Sequence, residues 1–132
     1  MMDTFNEQEK EIMVQIANTN DFPVLMMNFN RYKPGIFPDS SLYQEWRKIN
    51  AEMIENVGGK ILWSLPVMGQ ILTNGPVEPI DELLAYWYPS HQSFLDIPKF
   101  EITKSNFEIR KHIVEFAVVN RCDGSNPPVL NK

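Results

Sequence analysis

Apolar side chains fall on both parities of several short runs, and that fixes the kind of sheet the chain can build. In residues 22–30, Val24 and Met26 share one face of an extended strand while Leu25, Met27 and Phe29 share the other. A run apolar on both sides predicts a strand at the centre of a sheet, with Pro23 at the first position, where a missing N–H costs least. Asn28 and Asn30 are its polar exceptions, both on the face of Met26. A buried amide group left without a partner costs about 1–3 kcal/mol. Residues 82–88 repeat the pattern, Leu84, Tyr86 and Tyr88 against Leu83, Ala85 and Trp87, and are a second candidate for the centre. Residues 112–120 supply a last strand with Val114, Phe116 and Val118 opposite Ile113, Ala117 and Val119. Residues 60–73 read as an edge strand, because Pro66 and Gly69 interrupt them and predict a bend.

Helical spacing is clearest where Leu42, Trp46, Ile49, Met53 and Val57 recur by threes and fours, after a cap at Asp39, Ser40 or Ser41 and before Gly58-Gly59. An earlier helix is predicted over residues 1–20, with Thr4 and Glu7 at capping-box spacing and Phe5, Ile12, Met13 and Ile16 on one stripe. Pro89-Ser90 opens a short helix carrying Phe94, Leu95 and Ile97, which Pro98 ends or kinks. Residues 99–111 are poorly patterned, with a helical piece around 105–110. Residues 31–38 and 74–81 read as loops, and residues 123–128 as a frayed tail.

The order is β-α-β-β-α-β behind an N-terminal helix. Right-handed crossovers then put both helices on one face of a four-stranded antiparallel sheet, giving an α+β, ferredoxin-like fold. The divisions are an N-terminal helical extension over 1–21, the ferredoxin-like domain over 22–121 and a C-terminal tail over 122–132. Two helices cover one face, yet the strands are apolar on both. A second copy, sheet against sheet in a two-fold dimer, is the expected cover. The N-terminal helix is free to dock on its own domain or across the dimer.

Totals narrow the function. A chain of 132 residues with 43% hydrophobic and 22% charged side chains is sized and composed as one globular domain. Its net charge of −5 and the lack of any basic cluster argue against a nucleic-acid partner. A single cysteine, Cys122, excludes an internal disulfide and a cysteine-built zinc site. With no long apolar run and no basic-then-apolar leader, a cytoplasmic protein with no membrane partner is expected.

The segments VLMMNFNRYK, NVGGKILWSLPVMGQIL and DELLAYWYPSHQSFLDI together resemble the dimeric α+β barrel superfamily, and within it the domain-of-unknown-function 1330 family. The resemblance spans about residues 24–120. It rests on Asn28, on Gly58-Gly59 and on the Tyr88-Pro89-Ser90 corner followed by Phe94. It implies a homodimer with a closed barrel at the interface and carries no known reaction. Members often hold a His-Arg pair after the second helix; the nearest position here is Asn106-Phe107.

Asn28 is the leading ligand-binding candidate, its amide aimed between sheet and helices to orient a small polar molecule; the competing reading has that amide satisfied by a neighbouring strand or loop backbone. Trp63, Tyr86 and Tyr88 are candidate walls with polar handles; the competing reading makes them plain core or dimer interface. Trp46 reads first as a core anchor. His91 reads as solvated and His112 as an exposed strand end, neither with a companion for acid–base work. Asp81-Glu82, Glu101, Glu108 and Glu115 read as surface charge. No metal site and no tightly bound cofactor is expected. Two functions stay open: a protein that binds and transforms a small organic molecule without a cofactor, and a noncatalytic dimeric module that binds a metabolite or a protein.

Overall fold

The computed structural model describes residues 5–76 and 78–130. Helix α1 (Glu7–Thr19) leads into β1 (Val24–Tyr32), α2 (Ser41–Glu55), β2 (Lys60–Pro66) and β3 (Glu82–Tyr88). Helix α3 (His91–Leu95), a 3₁₀ turn (Ile97–Lys99), α4 (Ile102–Ile113) and β4 (Val114–Asp123) follow. The sheet order is β2-β3-β1-β4 with every neighbouring pair antiparallel, so the fold is the expected ferredoxin-like α+β arrangement. The two runs apolar on both parities, β1 and β3, hold the interior positions.

Boundaries differ where a local signal competed with tertiary contacts. Thr4 lies outside the described residues; the observed α1 starts after Asn6, whose side chain accepts the Glu9 N–H. Strand β1 runs on through Arg31 and Tyr32, which still pair with β4. Strand β2 ends at Pro66 rather than at residue 73, and its register slips earlier, between Ile61 and Trp63. His112 belongs to the last turn of α4, not to β4. The poorly patterned stretch is a full helix because two of its three buried residues, Thr103 and Asn106, are polar, which hides the apolar period. Gly58 adopts φ +80 just past α2 and its N–H reaches the Glu55 carbonyl, the helix end for which the pair was read.

The helices cover the sheet face that carries Val24, Met26 and Tyr32 from β1 and Leu84, Tyr86 and Tyr88 from β3, with Trp46, Ile54 and Ile113 above. Helix α1 packs on its own domain, through buried Met13 and a Glu9–Arg121 ion pair at 2.8 Å. The opposite face presents Leu25, Met27 and Phe29 beside Ala85, Trp87, Trp63 and Val118. The residues after β4 are tied down across this face: the indole N–H of Trp87 donates to the Gly124 carbonyl at 2.9 Å, and that of Trp63 to the Pro128 carbonyl at 3.2 Å. A Cβ on Gly124 would stand 2.6 Å from the Val24 backbone, so the strap requires glycine at its root.

Candidate functional site

Glu82 opens β3 on the helix-facing side, in step with Leu84, Tyr86 and Tyr88, and is 2% exposed. The sequence places it among surface charges; the structure buries it under α2. Its Oε1 accepts the hydroxyls of Tyr32 (2.6 Å) and Tyr43 (2.8 Å). Its Oε2 accepts from Tyr43 (2.8 Å) and from Arg47 Nη1 (3.0 Å). Arg47 Nη1 also reaches Tyr43 Oη and Ser64 Oγ. A buried carboxylate persists only with such partners, because removal from water costs several kcal/mol per ion.

This environment fixes protonation. Burial, followed by the Glu82 hydrogen bond, pushes the Tyr43 phenol up to about 12. Burial, then the Glu82 charge, raises Tyr32 further still. Burial pulls Arg47 down but is outweighed by Tyr43 and Glu82, so the guanidinium is held charged. Both phenols are therefore neutral donors at ordinary pH, and the Tyr43 proton is shared between the two oxygens of Glu82, which also accept from Tyr32 and Arg47.

Next to this set lie polar atoms without partners. Asn30 donates through Nδ2 to Tyr32 Oη at 3.2 Å, but its Oδ1 is buried and unpaired. Asn28, two positions earlier on the same face, has a buried unpaired Oδ1, and Trp46 a buried unpaired Nε1. The Trp46 ring stands 6.2 Å from the Tyr32 ring, on the same side of the sheet. Buried polar groups are almost always hydrogen-bonded, so the orphans of Asn30 and Trp46, both beside Tyr32, and of Asn28 on the same strand face mark a place where something polar belongs.

Of the residues singled out from sequence, Asn28, Tyr86 and Tyr88 share the helix-facing side, whereas Trp63 is on the opposite face under the strap. Tyr86 accepts from Asn50 Nδ2 at 2.7 Å, and Asn50 in turn accepts from Asn106 Nδ2 at 3.0 Å. Asn106 thus serves a buried amide chain; Phe107 is largely on the surface. Burial raises the Tyr86 and Tyr88 phenols. Glu82, Tyr32, Tyr43 and Arg47 went unnoticed because their mutual spacings, up to 50 positions, have no local signature. The usable signal was parity: Glu82 falls in step with three residues read as buried.

His91 is fully buried rather than solvated. Its Nδ1 donates to the Phe22 carbonyl at 2.9 Å and its backbone N–H to Asp21 at 2.7 Å, which ties α3 to the start of β1. His112 is exposed. A surface cleft of about 330 Å³ at the end of β1 touches Tyr32, but its charged side chains are spent: Arg31 pairs with Glu78 and Glu115, and Asp81 accepts the Tyr32 N–H. Among the described residues no group of three metal-binding side chains is assembled, and no helix is long and apolar enough to cross a membrane.

The fold and this buried set define a ferredoxin-like α+β protein with a polar seam between sheet and helices. No family model and no curated protein matches the sequence. The structure is similar to that of the RPA0582 protein of unknown function from Rhodopseudomonas palustris, at 24% identity over 95% of this chain and 97% of that one, with a TM-score of 0.70. The methylated form of RPA0582 aligns at 21% identity over 96% of each chain, with a TM-score of 0.71. Both likenesses concern the fold.

Proposed function

We propose that this protein is a homodimer that binds a small organic molecule between its sheet and helices, beside Asn28, Asn30 and Trp46. The observation that carries this reading is the trio of buried, unpaired polar atoms on Asn28, Asn30 and Trp46, of which Asn30 is the register partner of the hydrogen-bonded Glu82. A seam that served stability alone would be expected to close on itself. Tyr86 and Tyr88 form its apolar continuation on β3. Binding without transformation is favoured: both oxygens of Glu82 already accept hydrogen bonds from Tyr32, Tyr43 and Arg47, and the phenols are too weakly acidic to protonate a substrate readily.

The dimer is supported by what the strap leaves uncovered. Leu65 and Val118 are exposed on the open face, and Met68, Ile71 and Leu72 stand out in the loop that leaves β2. Together with Val129 and Leu130 on the strap they form an apolar border that a second copy would bury, as in the dimeric α+β barrels that the sequence resembles. The acidic charge and composition fit a cytoplasmic protein. Native mass spectrometry of protein purified without added ligand tests both parts. A dimer with a discrete extra mass that is lost in Asn30→Ala supports them; a monomer overturns the pairing, and an Asn30→Ala protein that retains the extra mass overturns the site.

A further inference from the structure

We infer that Glu82 sets the hydrogen-bond polarity of the buried site through Tyr32 and Asn30, so that the site selects a neutral primary carboxamide or urea group over a carboxylate. The inference rests on the small-molecule site proposed above and gives its ligand a chemical class.

The chain of reasoning starts at the carboxylate. An ionised Glu82 only accepts, so the single Tyr32 proton is committed to Oε1 at 2.6 Å. The Tyr32 oxygen is then left with lone pairs only, and whatever meets it must donate. Asn30 meets it at 3.2 Å, which turns its Nδ2 toward the tyrosine and its Oδ1 away, into the position where it has no partner. The orientation of that amide is therefore dictated two bonds upstream. Glu82 is a positioning residue.

The unpaired atoms then describe their complement. Asn28 Oδ1 and Asn30 Oδ1 need donors and Trp46 Nε1 needs an acceptor. The two asparagines occupy same-face positions of β1, about 7 Å apart along the strand. A primary carboxamide carries two N–H donors, and a urea four, beside a carbonyl on one small planar group. A carboxylate offers acceptors alone, and would set its charge against two amide oxygens near Glu82, whose neutralising Arg47 is already engaged. Neutrality follows from the same count.

Glutamine at position 82 should invert this preference. Arg47 donates to Oε2, so in Glu82→Gln it holds the side-chain oxygen at that position and leaves the NH₂ where Oε1 stood, facing Tyr32. The tyrosine then accepts from Gln and gives its own proton to Asn30. The Asn30 amide turns over and presents N–H groups to the site, now beside an uncompensated Arg47.

The probes are acetamide and acetate, titrated into ¹⁵N-labelled protein while the Trp46 indole and asparagine side-chain resonances are followed. The expected result is saturable shifts with acetamide, an apparent Kd at least about tenfold below that for acetate, and a reversed order in Glu82→Gln. Tyr32→Phe, a gentler change, should erase the discrimination, because the amide is no longer steered. Tighter acetate binding in the wild type that is lost in Asn30→Ala overturns the polarity and leaves the site standing. Insensitivity of these resonances to both probes, with a water cross-peak to the Trp46 indole, means a buried water only and overturns both the ligand class and the site. An order unchanged in both Glu82→Gln and Tyr32→Phe overturns the positioning role.

Discussion

The hydroxyl of Tyr32, at the end of the first strand, stands 2.6 Å from the Oε1 of Glu82, at the start of the third, although the two are 50 positions apart in sequence. Antiparallel pairing makes the meeting possible: Asn30 is the register partner of Glu82, which brings the end of β1 against the start of β3. The pair joins the sheet to α2, since the same carboxylate holds Tyr43 and Arg47.

Removal of the carboxylate should therefore be costly. Glu82→Ala leaves Arg47 without its counter-charge and two phenols without an acceptor, and is expected to lower stability by about 3–5 kcal/mol. Tyr32→Phe deletes one hydrogen bond to a charged group and should cost about 1.5–3 kcal/mol. Urea unfolding followed by circular dichroism gives both values. A loss below about 1 kcal/mol for Glu82→Ala would show that the cluster is not closed as described.

The strap over the open face hinges on Gly124. A methyl group there would lie 2.6 Å from the Val24 carbonyl carbon and 2.7 Å from its nitrogen, both backbone atoms that cannot step aside. Gly124→Ala should cost about 1–3 kcal/mol and release the Trp87 indole from the Gly124 carbonyl, visible as red-shifted tryptophan fluorescence. Gly69→Ala is the control, because a Cβ at Gly69 meets nothing within 4 Å and its φ is not positive. Equal behaviour of the two variants would mean that the strap does not rest on Val24.

Much of this architecture was legible in the sequence because burial of strands on two sides leaves apolar residues on both parities. That pattern located β1 and β3 at the centre, and the broken run at Pro66 put β2 at the edge. The spaced face of α2 was legible too, although the buried side also takes Tyr43 and Asn50, whose polar tips are satisfied inside. What stayed hidden shares one cause. Glu82, His91, Thr103 and Asn106 are polar residues made compatible with burial by partners far away in sequence, and local patterns assign such residues to the surface. Asn28 stood out because it interrupts an apolar run; Trp63 was grouped with it only because parity across the β2 irregularity is invisible without the register.

Asp21 should confer an acid sensitivity on the junction of α1, β1 and α3. Burial raises the pKa of its carboxyl, but N–H groups of His91, Gln92 and Phe22 lower it by more, and the result is below the ordinary carboxylate value. A carboxylate with a depressed folded-state pKa contributes stability that is fully present above its unfolded pKa, about 3.9, and is lost as pH falls through the folded value. Asp21→Asn should therefore destabilise the protein at pH 7 and lose less of its remaining stability than the wild type below about pH 4. Thermal unfolding across pH 2–7 would show this as converging curves at the acid end, and parallel curves would assign the acid sensitivity elsewhere.

The proposed pairing is testable at a residue that takes no part in the buried seam. Val118 lies on the open face of edge strand β4, opposite Phe29, and is 38% exposed in the single chain. A lysine there keeps its charged end in water in a monomer, whereas in a sheet-to-sheet dimer the ammonium would be trapped in an apolar interface. Val118→Lys should then convert a dimer to a monomer in sedimentation velocity with little change in circular dichroism. Because a surface substitution outside an interface costs within about 0.5 kcal/mol, retained fold with lost pairing is the specific signature. A dimer that survives Val118→Lys must use another surface, and the exposed Met68, Ile71 and Leu72 of the β2–β3 loop would be the next place to put the charge.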